Sequence, residues 1–212
     1  MPFSMPPTPP PLSIGTLRRV FDGGDGAPPE PAPDERRAGV ALIMAGSGET
    51  LELCMIRRAE AEDDPWSGHM AFPGGKEDAE DPDPRAAAER ETLEEVGITL
   101  RQRDFIAPLA RVPAYARGVR MGIVLFPFLY YLGGKKAPFV LSNEVGEAFW
   151  IPLPYLLEPE NHTTMSLKRE GRMLQFPAVR YRGNHIWGLS YRILSQVAEA
   201  LGRPFPPTPH QP

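Results

Sequence analysis

Arg85-Ala86-Ala87-Ala88-Glu89-Arg90-Glu91-Thr92-Leu93-Glu94-Glu95-Val96 is the stretch that decides how this chain is read. Asp83 stands where an N-cap belongs, Pro84 where a first-turn proline is tolerated, and Gly97 where a left-handed glycine stops a helix. The stretch therefore predicts a helix over Arg85–Val96. On that helix Glu91, Glu94 and Glu95 are related as i, i+3 and i+4, so they share one face. Three carboxylates there repel one another at neutral pH unless something positive sits between them. Hard divalent ions such as Mg²⁺ or Mn²⁺ take oxygen ligands and can do this. Leu93, Val96 and Ala86 point roughly the other way, toward a core, although Glu89 spoils a clean apolar stripe. A solvated acidic face on a surface helix is the competing reading. The preceding segment tips the balance. Phe72-Pro73-Gly74-Gly75-Lys76 is a glycine turn, with Gly75 15 residues ahead of Arg90. Glycine lets backbone approach a phosphate or a metal closely. Turn and helix together gather a carbonyl, several carboxylates and an arginine around one point.

Outward from the helix, the flanks read as strands. Ala38 to Ala45 and Thr50 to Arg57 are apolar runs separated by Gly46-Ser47-Gly48, a hairpin signal. His69 to Phe72 reads as a third strand. Further strands are expected at Phe105–Val112, Gly122–Leu132, Glu144–Ile151 and Leu174–Tyr181. A last helix is expected over Ile186–Leu201, with Leu189, Ile193, Val197 and Leu201 at helical spacing. Strands interrupted by two well-marked helices predict a mixed sheet with helices packed against it. Proline marks the edges: Met1 to about Pro11, Ala27 to Pro33, and the tail from Pro204 are proline-rich and read as extended arms. Residues 1–36 are thus expected to form an N-terminal arm, 37–202 the folded domain and 203–212 a tail. Within the arm, Ser13 to Phe21 predicts a short helix with Leu17, Val20 and Phe21 on one side. It can pack on the domain or on a second subunit, which leaves a homodimer open.

The stretch Gly75 to Ile98 resembles the Nudix box. Its second half is matched by Arg90, Glu91, Glu94, Glu95, Gly97 and Ile98, with Thr92 in place of an apolar residue. The first half departs: it has one extra residue, and Asp81 or Glu80 takes the place of the early glutamate. The resemblance implies an α/β/α sandwich and metal-dependent hydrolysis of a nucleoside diphosphate linked to another group. It also implies that Glu91, Glu94, Glu95 and the Gly75 carbonyl are ligands of Mg²⁺ or Mn²⁺. Arg90 would hold the carboxylates in place by charge-assisted hydrogen bonds. The general base either lies outside the ligands or is one of them, and in some Nudix enzymes it comes from a loop entering a strand. Glu144, Glu94 and Glu95 are the candidates.

Resemblance extends over about Gly39 to Leu201, toward the coenzyme A pyrophosphatase branch of the family. It is carried by Ser67-Gly68-His69-Met70-Ala71-Phe72-Pro73-Gly74-Gly75-Lys76, Asn143-Glu144-Val145, Phe149-Trp150-Ile151-Pro152-Leu153, Phe176-Pro177-Ala178 and Ile186-Trp187-Gly188-Leu189-Ser190. Two stretches depart from the branch, Gly68-His69-Met70 and the acidic Asp64-Pro65-Trp66-Ser67. The branch implies attack by water within the diphosphate of coenzyme A, giving 3′,5′-ADP and 4′-phosphopantetheine. Its 3′-phosphate wants arginine or lysine. Arg57, ending a strand expected to lead toward the pocket, is the first choice. Arg58, Lys168, Arg169 and Arg172 are others. Gly74, Gly75 and His69 complete the expected substrate contacts, although a strand histidine with an ordinary hydrogen bond is the plainer reading of His69. Trp66 is expected to be exposed, and Trp187 to belong to the core. ADP-ribose, sugar nucleotides and dinucleoside polyphosphates are the alternative substrates. A Nudix-fold sensor without catalysis is the rival class, but such modules lose box carboxylates and this chain keeps all three.

Bulk composition bounds these readings. The chain has 212 residues, 42% hydrophobic, which suits one domain with a proper core. A net charge of -4 argues against general nucleic-acid binding. No apolar run approaches the roughly 20 residues of a membrane span, and no secretory leader is recognisable, so a cytoplasmic enzyme acting on a small nucleotide is expected. Cys54 is the single cysteine, and in the run Leu53-Cys54-Met55-Ile56 it reads as a buried hydrophobe.

Overall fold

The computed structural model describes residues 10–21, 35–62, 64, 66–116, 119–169 and 171–207. The proline-rich segments 1–9 and 27–33, the tail 208–212 and the side chains of Arg169 and Arg172 lie outside the described residues.

Alternation along Arg36–Ala45 (β1) sorts the core into two layers. Val40, Leu42 and Met44 enter one layer, and Ala41 and Ile43 the other. A strand covered on both faces needs apolar residues at nearly every position, which the run from Ala38 supplies. The glycine turn after it returns the chain into Glu52–Arg58 (β2), antiparallel, with Met44 opposite Leu53. Met70–Ala71 (β3) pairs with the far end of β2, and Gly74–Lys76 (β4) with the near end of β1. Phe105–Pro108 (β5) and Val112–Ala116 (β6) share one edge of Val119–Tyr131 (β7), and β7 runs parallel to β1 from Arg36↔Ile123 to Met44↔Tyr131. Val145–Pro152 (β8) covers the outer edge of β2. The result is an eight-stranded mixed sheet. His162–Arg169 (β9), Arg172–Tyr181 (β10) and Asn184–Trp187 (β11) form a separate antiparallel sheet of three.

Pro84–Val96, the second helix, lies on the layer of Ala41, Ile43, Cys54 and Ile56. The other layer holds Ile14–Phe21 (α1), Leu153–Leu157 (α3) and Gly188–Ala200 (α4). This is the expected α/β/α sandwich. Among the described residues no helix is long and apolar enough to cross a membrane. Pro84–Val96 (α2) sits unusually close to β1. A methyl group on Gly39 would run into the Pro84 carbonyl oxygen and stand 2.9 Å from the Ala88 nitrogen.

Several expectations are corrected. The strand expected over Phe105–Val112 is two strands, broken at residues 109–111, where Leu109 N–H turns to the Pro127 carbonyl at 2.9 Å. The last helix starts at Gly188 and not Ile186, because Asn184–Trp187 pairs with β10. Residue 37 does not mark the start of the packed chain. Leu12 and Leu17 are buried in the main core, so α1 packs on its own domain. The far end docks as well. The Phe205 ring lies 4.4 Å from His162 and 4.9 Å from Tyr191, and Arg203 Nη2 donates to the Pro10 carbonyl at 3.4 Å.

Candidate active site

Local chemistry sets both ends of α2. The Asp83 carboxylate accepts the Ala86 N–H at 2.8 Å, Pro84 opens the first turn, and Gly97 closes the helix at φ 72°. The inward face is Pro84, Ala87, Ala88, Thr92, Glu95 and Val96. Leu93, expected to face the core, is 50% exposed, and Ala86 is only half-buried. Their place around the helix explains this. At about 100° per residue Leu93 falls on the side of the helix opposite Pro84, Ala88 and Glu95, so it is turned outward. Thr92 satisfies its hydroxyl by donating to the Ala88 carbonyl at 2.6 Å. Glu89, the apparent flaw in the stripe, accepts from the Tyr130 hydroxyl at 3.0 Å and from Arg85 Nε at 2.9 Å.

The turn and the helix meet as anticipated. Glu95 is 3% exposed, and its Oε2 accepts the Gly74 N–H at 2.8 Å. A methyl on Gly75 would strike the Glu91 carboxylate, so only glycine lets that carboxylate lie against the backbone. Arg90 spans the group. It reaches Glu91 Oε1 at 3.0 Å, Glu94 Oε2 at 3.3 Å, Asp81 Oδ2 at 2.9 Å and the Lys76 carbonyl at 3.2 Å. Asp81, and not Glu80, therefore supplies the acidic partner of Arg90. The arginine in turn holds the Asp81 carboxyl below the ordinary carboxylate range.

Among the described residues no three acidic, histidine or cysteine side chains close on one point, since Arg90 stands between Glu91 and Glu94. Electrostatics nonetheless fits these residues to a cation. Burial, with the charges of Glu94 and Glu144, pushes the Glu91 carboxyl up despite Arg90. Glu95 is pushed up to about 7, first by burial, with Glu91 and Glu144 adding to it and the Gly74 N–H and Arg58 opposing. A divalent ion held by Glu91, Glu94, Glu95 and the Gly75 carbonyl would relieve that excess charge.

Glu144 reaches the group from a strap, residues 137–144, that crosses the end of α2. The strap is fastened by Val140 N–H to the Val96 carbonyl at 2.9 Å and Ser142 N–H to the Glu95 carbonyl at 3.1 Å. The Glu144 carbonyl accepts from Ala59 N–H at 2.8 Å. Its side chain is exposed. The two arginines ending β2 part company. Arg58 Nη1 is 4.0 Å from Glu95 Oε1. Arg57 falls on the alternate face, and its Nε donates to Glu147 at 3.0 Å. The structure thus does not bring Arg57 to the carboxylates. His69 packs its ring 4.9 Å from that of Trp187, and burial holds its imidazole below the ordinary histidine value. Trp187 itself is half-buried at the head of α4. Trp66, expected to be exposed, is also half-buried and packs on Ala38, Ala114 and Ile123. Cys54 is fully buried, and burial followed by the nearby Glu95 charge raises its thiol, so it is no nucleophile at neutral pH.

Glu95 makes the metal-free protein sensitive to pH. A carboxyl that binds its proton more tightly folded than unfolded stabilises the fold while protonated. That stabilisation is complete below the unfolded value of about 4.3 and is lost as pH rises through about 7. Chemical denaturation of metal-free protein should therefore give lower stability at pH 8 than at pH 5.5, by about 2 kcal/mol. Glu95→Gln should flatten the profile. An unchanged slope in that variant would show that Glu95 is not the group responsible.

A family model described as NUDIX domain matches residues 34–168 of this chain. The peroxisomal coenzyme A diphosphatase ndx-8 of Caenorhabditis elegans is 35% identical over 153 residues, 70% of this chain and 61% of that protein. The mouse (Mus musculus) peroxisomal coenzyme A diphosphatase NUDT7 is 28% identical over 157 residues, 74% of this chain and 63% of that protein. The chain thus spans less than two thirds of the length of these two relatives. An uncharacterized Nudix hydrolase, NudL, of Photorhabdus laumondii is 28% identical over 174 residues, 82% of this chain and 90% of that protein. Among solved structures, a MutT/nudix family protein from Enterococcus faecalis superposes with a TM-score of 0.55 at 15% identity, covering 90% of this chain and 75% of that one. A likeness at that identity speaks to the fold.

Proposed function

The chain belongs to the Nudix family, and on that premise we propose that it is a divalent-metal-dependent pyrophosphohydrolase acting on coenzyme A or a derivative. What supports the catalytic part is one arrangement. The Glu91 and Glu95 carboxylates lie against the Gly74–Gly75 backbone, with the Glu144 charge acting on them and Arg90 tied to Asp81. A divalent cation, Mg²⁺ or Mn²⁺, when held by Glu91, Glu94, Glu95 and the Gly75 carbonyl, offsets the charge of the diphosphate and makes nearby water more acidic. The protein does the rest. Arg90 keeps Glu91 and Glu94 from splaying apart, and Asp81 keeps Arg90 from swinging out. Glu144 is exposed and near enough for its charge to raise the Glu91 carboxyl, which suits it to take the proton of the attacking water.

The substrate rests on the relatives' coenzyme A diphosphatase names and on the sequence blocks around the box. A 3′-phosphate is costly to desolvate without a cation. Arg57 is the candidate, and a substrate would draw its guanidinium from the pair with Glu147. Wild-type enzyme should then cleave coenzyme A with a higher kcat/KM than 3′-dephospho-coenzyme A. Arg57→Ala should erase most of that preference while leaving the dephospho substrate within about threefold, since a charge-assisted contact contributes about 1.5–3 kcal/mol. Equal kcat/KM for the two substrates in wild type would refute recognition of the 3′-phosphate. Inactivity on both, beside good turnover of ADP-ribose or a sugar nucleotide, would sink coenzyme A and leave the hydrolase assignment standing.

A further inference from the structure

Cys54 and Ile56 face α2, and alternation along β2 carries Arg58 to the same side. The backbone is pinned there from two directions. Arg58 N–H donates to the His69 carbonyl at 3.0 Å, and Ala59 N–H to the Glu144 carbonyl at 2.8 Å. The pairing with β8 shifts register there, from Arg57↔Glu147 to Arg58↔Val145, and the extra residue is Gly146 on β8, so alternation along β2 is kept through Arg58.

The guanidinium placed this way is used unevenly. Nε and Nη2 both reach Asp64 Oδ2 at 2.8 Å. The other Asp64 oxygen accepts the Trp66 N–H at 3.0 Å, so the carboxylate is itself fixed to the turn. Only Nη1 is turned toward the carboxylates, 4.0 Å from Glu95 Oε1. The second Glu95 oxygen is already held by the Gly74 N–H. Glu95 therefore lies between a backbone donor and a charged group that cannot swing away.

We propose that Arg58, latched by Asp64, is a positioning residue for the Glu95 carboxylate and not a ligand of substrate phosphate. Arginine recognises phosphate best by presenting two nitrogens in a fork, and here one such fork is occupied by Asp64. The latch holds through neutral pH. Burial pushes the Asp64 carboxyl up, but the Trp66 N–H and the Arg58 guanidinium outweigh it and keep the group ionised. The role rests on the metal-dependent reading given above, so its test carries a measurement independent of turnover.

Three variants decide it: Arg58→Gln, Asp64→Asn and the double change. Each is titrated with Mn²⁺ by calorimetry in metal-free form, and each is assayed for kcat and KM on a diphosphate that the wild type turns over. Arg58→Gln should weaken Mn²⁺ binding about 10-fold and lower kcat about 10- to 100-fold, as loss of an outer partner of a metal ligand does, with KM within twofold. Asp64→Asn should move the same quantities in the same direction. The double variant should be no worse than Arg58→Gln alone, because the latch acts only through the arginine. Asp64→Asn, in a half-buried turn, carries the test if Arg58→Gln fails to fold. A raised KM with unchanged kcat would make Arg58 a substrate ligand and overturn the assignment. Mn²⁺ affinity that stays the same or tightens in the variants would overturn it too. A wild type that hydrolyses no diphosphate sinks the hydrolase reading alone, and the calorimetry still decides the role of Arg58.

Discussion

Glu95→Gln should lower turnover by about 10²–10⁴ while leaving the metal-free fold at least as stable as wild type at pH 8. The size is that of losing a metal ligand or a proton-transfer group. The stability half follows from burial. At pH 8 the wild-type protein keeps a carboxylate in a place that pushes its titration up to about 7. Glutamine has nearly the same shape, and its carbonyl oxygen can still accept the Gly74 N–H that now goes to Oε2. The variant thus removes a charge without opening a cavity, and the partner it gives up is Arg58 Nη1, which stands 4.0 Å away and is not hydrogen-bonded to Glu95. Glu94→Gln should lose turnover on the same scale, but Glu94 is exposed, so its stability should barely move. Steady-state kinetics beside thermal unfolding at pH 8 checks both. Normal turnover in the two variants would remove this helix from the mechanism.

Gly39→Ala should destabilise the protein by about 3 kcal/mol or more, the upper end of overpacking costs. For a chain of this size that corresponds to a fall in Tm of roughly 6–12 °C. Few single methyl groups do so much. This one would have nowhere to go, because its neighbours are the Pro84 carbonyl and the Ala88 nitrogen, both backbone of α2. The helix would have to lift from β1, and Glu91 and Glu95 would leave Gly75 and Gly74 with it. Gly134→Ala is the control, since nothing lies within 4 Å of its added methyl. A Gly39→Ala protein with wild-type Tm would mean that α2 does not rest on β1 as described.

Sequence makes legible whatever is decided within a turn or two. Asp83, Pro84 and Gly97 act on their immediate neighbours, so the limits of α2 are visible in the residues themselves. The two-sided burial of β1 is likewise written in its unbroken apolar run. Features that depend on what lies opposite are hidden. Leu93 looks like a core residue until the face that α2 turns to β1 is known to be that of Pro84, Ala88 and Glu95, on the other side of the helix. Gly74–Lys76 has no strand propensity, and pairs because β1 offers a free edge at Ala38–Val40. β9 is a different case, because Thr164-Met165-Ser166-Leu167-Lys168 does alternate polar and apolar residues, a strand signal that the sequence reading passed over. Asp81 and Glu80 are indistinguishable as partners until Arg90 is seen to reach one of them. Nothing in the sequence signals that Asp64 grips Arg58, because they are joined across an irregular turn and not by a helical or strand period.

The contact between Arg203 and Pro10 has a practical consequence for handling the molecule. Each stands two residues from a leucine, Leu12 and Leu201, that belongs to the cluster opposite α2. A reporter, an affinity handle or a surface tether joined directly at Pro10 would start from the layer opposite α2, on the other side of the sheet from Glu91 and Glu95, whereas past Arg203 the chain runs on to pack Phe205 against His162 and Tyr191. The same proximity suits the chain to rewiring. A short bridge could join the two segments, and the polypeptide could be reopened at the Arg182–Gly183 hairpin tip, where an added methyl on the glycine meets nothing within 4 Å. The order of the segments along the chain would change, while every strand kept its neighbours in the sheets.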